Sequence, residues 1–127
     1  MLSKAIYHIL SNDAAITAIT TDIYFVVAPQ GTPNPAVIFN ISVDPEDDKD
    51  GVSSLDIADL QVDIYCNMGQ MGQLDNLYQA VRSALDRNDG VHEGKNIELA
   101  YDGHDMLYDD VSDAHRMSLD FIIRHKR

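Results

Sequence analysis

The sequence predicts an α+β fold in a single domain over residues 1–127, with a mostly antiparallel sheet of about four or five strands and helices packed on one face. Three observations point there. From Asp59 the chain alternates, with Leu60, Val62, Ile64 and Cys66 on one side and Asp59, Gln61, Asp63 and Tyr65 on the other, which is the period of a half-buried strand. From about Gly72 the period changes, and Leu74, Leu77, Tyr78, Val81, Ala84 and Leu85 recur every three or four residues, as they must to share one stripe of a helix. Residues 23–43 form two apolar, β-branched and aromatic runs joined by a connector that holds Pro29, Gly31, Pro33 and Pro35.

Taken in order, Leu2, Ala5, Ile6, Ile9 and Leu10 fall at helical spacing, so an amphipathic first helix closing near Ser11 is expected. Asn12 and Asp13 have the short polar side chains that cap a helix start, and they precede a second short turn carrying Ala14, Ala15, Ile16, Ala18 and Ile19. Strands follow at residues 23–27 and 36–43. The connector between them cannot lie inside a sheet or a helix, because proline lacks an N–H and fixes φ; a surface loop or sheet-edge segment is expected. Residues 44–51 read DPEDDKDG, a charged run expected to be a solvated loop or hairpin tip, mobile in the isolated protein.

The alternating strand from Asp59 is broken by two glycines within residues 68–72. The helix from about Gly72 to Arg87 comes next, stopped at Asn88, Asp89 and Gly90. Its Leu74, Leu77, Val81 and Leu85 stripe needs cover, and the sheet face bearing Val62 and Ile64 is the expected cover. Residues 97–101 predict a short strand ended by a turn at Asp102 and Gly103. Residues 102–113 are acidic, with Met106, Leu107, Tyr108 and Val111 interspersed, and read as strand or loop. Residues 115–124 alternate again, with Met117, Leu119, Phe121 and Ile123 on one face, and predict a last strand. Tyr24, Tyr65, Tyr78, Tyr101 and Tyr108 are expected at the edge of the core.

A chain of 127 residues can bury a core without disulfides or metals. Its 21 acids against 9 Lys and Arg give a formal charge of −12, which argues against binding a nucleic-acid backbone, since that needs basic side chains to displace counterions. The single cysteine, Cys66, excludes an intramolecular disulfide and sits at an apolar strand position, as a buried small hydrophobe does. The N-terminal apolar run is too short, and too interrupted by His8 and Asn12, for a signal peptide or membrane span, so a cytoplasmic protein is expected.

Motifs for chemistry are weak. Glu46, Asp48, Asp50 and Gly51 imitate the first half of a calcium-binding loop, but Ile57 stands where the bidentate carboxylate belongs, and a solvated tip is the better reading. His104, Asp105, Asp109, Asp110, Asp113 and His115 lack the spacing of a metal site. There is no GxSxG, GxGxxG or GxxxxGK pattern, so no catalytic residue, cofactor or metal is assigned.

The short N-terminal helix, the AAITAIT turn, the APQGTPNPAVIF segment and the later QVDIY strand resemble the tail-completion, or tail-terminator, proteins of long-tailed bacteriophages and prophages. The resemblance spans about residues 5–87 and is densest at residues 28–33. It implies a structural protein that caps the tail tube at the head-tail joint, assembles in the host cytoplasm and resides in the virion tail. It further implies a homo-oligomeric, six-fold ring whose partners are the tail tube protein and a head-completion protein, with neither membrane nor sequence-specific nucleic acid bound. Pro29, Gln30, Gly31, Pro33, Glu46, Asp47, Asp48 and Asp50 are the candidate assembly surface. The alternatives are another phage neck or minor tail protein, or a stand-alone acidic binding module.

Overall fold

The computed structural model describes residues 2–43, 55–109 and 114–126. Residues 44–54, with Glu46, Asp47, Asp48, Asp50 and the expected mobile tip, lie outside the described residues, as do Asp110 and Asp113. Two helices open the chain, α1 (Leu2–Ser11) and α2 (Ala14–Thr17). The α1 stripe of Ala5, Ile6, Ile9 and Leu10 is buried as its spacing requires. Asp13 starts α2, its carboxylate accepting from the Ile16 amide at 3.0 Å, so one of the two candidate caps satisfies a helix donor that has no intrahelical partner.

The strands are β1 (Ile23–Phe25), β2 (Ala36–Val43), β3 (Leu55–Asn67), β4 (Gly90–His92), β5 (Lys95–Asp109) and β6 (Ala114–Lys126), and helix α3 (Met71–Leu85) lies between β3 and β4. They form one six-stranded sheet in the order β1-β2-β3-β6-β5-β4, one or two strands more than the sequence suggests. Every pairing is antiparallel except β1 with β2, which is parallel. The proline-bearing connector, residues 26–35, is the cause. It carries the chain back so that β2 starts beside the start of β1, a return that a tight hairpin cannot make.

One face of the sheet is apolar, and the helices cover it. Val37 and Phe39, Leu60, Val62, Ile64 and Cys66, Ile97 and Leu99, and Leu119, Phe121 and Ile123 all join Leu74, Leu77, Val81 and Leu85 of α3 in the core. The α3 stripe therefore packs on the face that holds Val62 and Ile64, as its period predicts. Helix α1 touches both β1 and β4, so the sheet curls around it. At that seam His8 Nδ1 lies 3.3 Å from the Glu93 carboxylate.

Three expectations are corrected. The helix ends at Leu85 and not Arg87, because Asp86 turns to extended backbone and Arg87 takes a positive φ of 58°. Gly90 does not merely stop the helix but opens β4, an edge strand of three residues that pairs with Lys95, Asn96 and Ile97. Asp102 and Gly103 are not a turn. Strand β5 runs through them to Asp109, with a register shift between Tyr101 and Gly103 and Gly103 at φ 139°. The extra residue of a bulge, relieved by a glycine without a Cβ, looks from sequence like the end of a strand.

Candidate assembly surface

The connector residues Pro29, Gln30, Gly31 and Pro33 are all exposed. Their loop is anchored at its far end. Gln70 Nε2 donates to the Asn34 carbonyl at 3.0 Å, Asn34 Nδ2 donates to Asn67 at 2.9 Å, and the Thr20 hydroxyl donates to the Pro35 carbonyl at 2.8 Å. Gly31 supplies a φ of 85° that the turn needs. The four residues thus form a fixed projection beside β2. Glu46, Asp47, Asp48 and Asp50, the rest of the candidate assembly surface, lie outside the described residues.

The sheet register sets out a second surface that sequence reasoning missed. Phe25, Phe39, Val62, Leu119 and His104 form one row, and Ile23, Val37, Ile64, Met117 and Met106 the next. At one end of these rows is β1, the sheet edge. At the other is the outer side of β5 which, among the described residues, pairs with a strand only at Lys95, Asn96 and Ile97. Beyond these, Arg87 N–H donates to the Leu99 carbonyl at 3.0 Å and the Asp86 carboxylate accepts from the Tyr101 amide at 3.2 Å. Among the described residues no further strand pairs with either end of these rows.

Both ends carry exposed apolar side chains. At β1 these are Phe25, Val26 and Val27, the last two 57% and 73% exposed, with Tyr7 of α1 close by. At β5 they are Met106, Leu107 and Tyr108, at 49%, 43% and 49%. Tyr108, expected at the core edge, is half exposed, its ring 4.8 Å from that of His115. A cleft of about 530 Å³ beside β1 is lined by Lys4, Tyr7, His8, Phe25, Phe39 and Glu93, among others. Val26 has a φ of 72°, an outlier for a β-branched residue that persists only where its surroundings impose it.

The sheet face away from the helices is acidic. Asp59 and Asp63 of β3, Asp120 of β6, and Asp102 and Asp105 of β5 crowd one another there. Burial, and then the charges of Asp102, Asp105, Asp63 and Asp59, push the Asp120 carboxyl up from its ordinary value. Ser118 donates to Asp63, and Gln61 Nε2 reaches both Asp63 at 3.0 Å and the Ser118 hydroxyl at 3.0 Å. These donors tie the middle of the face together.

On the covered face, Tyr78, Arg82 and Tyr101 join α3 to β5. Arg82 Nη1 donates to the Tyr78 hydroxyl at 2.9 Å, and the Tyr101 hydroxyl meets His104 Nδ1. Burial, the hydrogen bond with Tyr78 and the charge of that phenol push Tyr101 up to about 12, against the lowering charge of Arg82. Cys66 is fully buried, and burial pushes its thiol up as well, which holds it as an unreactive S–H at neutral pH. Among the described residues no group of three or more His, Cys, Asp or Glu side chains is placed to hold a metal ion.

The signal for these ends was present but ambiguous. Val26 and Val27 continue an apolar run and read as strand, and Met106, Leu107 and Tyr108 sit in an acidic stretch that reads as loop. Which strand lies outside β5, and how far it reaches, is a long-range fact that no local period encodes.

The family profile described as Tail completion protein gp17 matches residues 4–126. Among solved structures, a chain from the "Virion of native gene transfer agent (GTA) particle" shares the fold with a TM-score of 0.84 at 21% identity, over 99% of this chain and 95% of that one. No curated protein matches the sequence.

Proposed function

Because this chain belongs to the tail completion protein family, and so is a phage tail structural protein, we propose that it caps the tail tube at the head-tail joint as a homo-oligomeric ring of six copies. The observation that carries this reading is a family match from residue 4 to residue 126, on a sheet that exposes apolar side chains both at β1 and along β5. A subunit with unlike edges at its two ends joins copies head to tail, and such contacts close into a ring when the rotation permits. The shared fold with a chain of a gene transfer agent virion is consistent with a place in a virion particle.

The connector residues Pro29, Gln30, Gly31 and Pro33, with Glu46, Asp47, Asp48 and Asp50, serve in this reading as the surface offered to a neighbouring subunit, the tail tube protein or the head-completion protein. Such a protein assembles in the host cytoplasm and stays at the joint. The acidic face adds a role for the charge of −12. Turned toward the ring axis, Asp59, Asp63, Asp102, Asp105 and Asp120 line the passage with negative potential, and the genome slides past without sticking. A scaffold of this kind has no use for a cofactor or a catalytic residue.

The test is genetic. A phage or prophage with the gene deleted is expected to make filled heads and tail tubes that do not join, with joining restored by the wild-type gene and not by one lacking residues 46–51. Normal joined particles from the deletion strain would overturn the reading and favour an accessory binding module.

A further inference from the structure

Residues 23–27 read as one strand, yet β1 ends at Phe25 and the chain leaves it through a tight turn at Val26. Resting on the reading of the connector as an assembly surface, we propose that this turn is one state of a two-state strap. When the tail tube engages the connector, Val26 and Val27 relax into strand, β1 lengthens along β2 as far as Ile41, and the segment holding Pro29, Gln30, Gly31 and Pro33 is drawn nearly straight.

The first observation is backbone strain. Val26 has a φ of 72°, and the Val27 amide donates to the Phe25 carbonyl at 2.8 Å, which closes a three-residue turn of the rare γ form. Positive φ is costly for a β-branched residue. Val26 and Val27 are 57% and 73% exposed, so burial of their side chains does little to offset that cost.

The second is a ladder position that β1 does not fill. Val37 donates its amide to the Asp22 carbonyl, and the Phe39 carbonyl accepts from Val26. Alternate residues of β2 therefore turn their peptide groups toward β1, and Ile41 is next in that series. Its amide donates instead to the side-chain oxygen of its neighbour Asn40 at 3.0 Å. Because Phe25 lies beside Phe39, a lengthened β1 places Val26 beside Asn40 and Val27 beside Ile41, and the Val26 carbonyl takes the Ile41 amide. Val27 then shares a side of the strand with Ile23 and Phe25. Ile41 packs against the core on that side, so burial of the Val27 side chain favours the lengthened state.

The third is chain length. Strands β1 and β2 are parallel, so each residue added to β1 lengthens the return to Pro35. From a Val27 beside Ile41 the return is about six strand residues, roughly 20 Å, and residues 28–34 reach about 23 to 25 Å at full stretch. With so little to spare, the turn in which the Thr32 amide donates to the Pro29 carbonyl at 3.1 Å opens. The free protein keeps that turn and strains Val26. A partner that contacts only the straightened connector reverses the balance, because its affinity differs between the two states.

The test begins with the full chain alone. Glycine meets no Cβ clash at positive φ, so Val26→Gly should melt above Val26→Ala, the reverse of their order within a strand. The opposite order would overturn the strain and the strap with it. The second measurement is hydrogen exchange at Ile41, in the free protein and after mixing with purified tail tubes. Bound wild type should exchange there about tenfold more slowly or more, whereas Val26→Gly, which holds the turn without strain, should show little or none of that slowing. A wild type that binds tubes with no change at Ile41, or a Val26→Gly that slows as much as the wild type, would overturn the strap and leave the assembly reading standing. Wild-type protein that does not bind tubes would overturn the assembly reading, and the strap with it.

Discussion

The guanidinium of Arg82 lies over the ring of Tyr101, 4.0 Å from its centroid. This contact joins α3 to β5 one residue before the register shift that leads into Gly103. It fixes the helix to β5 a few residues before the exposed side chains of Met106, Leu107 and Tyr108. A cation over an aromatic face is favourable even where water reaches it, and here the same guanidinium also holds the Tyr78 hydroxyl. Helix, bulge and exposed side chains therefore form one mechanical unit.

That unit has a pH signature. Tyr101 is pushed up to about 12, first by burial and then by Tyr78, whereas a tyrosine in the unfolded chain ionises near pH 10. Between those values the unfolded chain binds fewer protons than the native one, so stability falls as pH rises through this window and is unaffected below it. Spectrophotometric titration should show a phenol that ionises only at about pH 12, and Tyr101→Phe should remove that last component. A titration in which all phenols ionise together near pH 10 would contradict the packing described.

Leu77 is the simplest test of the core. It is fully buried between α3 and the sheet, and Leu77→Ala removes its methyl groups and leaves a cavity. The expected loss is on the order of 2 to 4 kcal/mol in denaturant unfolding, with Val81→Ala costing less because fewer atoms are removed. A loss of a few tenths of that size would mean the helix does not sit on Val62 and Ile64.

The acidic face makes an opposite prediction. The Asp120 carboxyl is raised by partial loss of water around it at an otherwise exposed position, and then by Asp102, Asp105, Asp63 and Asp59, so its ionised form is disfavoured in the native state. Stability attributable to it is fully present below the ordinary carboxylate value and is lost as pH rises through the raised one. Asp120→Asn should therefore stabilise slightly at neutral pH and not at strongly acidic pH. Because Asp120 is exposed, solvent screening keeps the gain below about 0.5 kcal/mol. Added salt should shrink it further. A destabilised variant at neutral pH would refute the mutual repulsion.

What sequence conveyed and what it withheld divides along the range of the interactions. The stripe of Leu74, Leu77, Val81 and Leu85, the alternation through Val62 and Ile64, and the buried Cys66 were legible, because each follows from a period set by one element and one covered face. The parallel partnership of Ile23 with Val37 was not legible, since it depends on where the proline connector returns the chain. Gly103 was misread because a bulge and a turn both ask for a glycine beside an aspartate. The candidate surface was half legible for a related reason. Pro29, Gln30, Gly31 and Pro33 announce a projecting loop by composition alone, whereas the exposure of Leu107 is understood only once β4 is seen, among the described residues, to pair with β5 at Lys95, Asn96 and Ile97 alone.

The central claim is a ring that terminates a tail tube, and it is tested most directly by electron microscopy of purified tail tubes mixed with the protein. The account predicts a single annulus of six copies at one end of each tube, with its acidic sheet faces toward the axis and no copies along the shaft. Tubes that end bare, or copies scattered along their length, would contradict it.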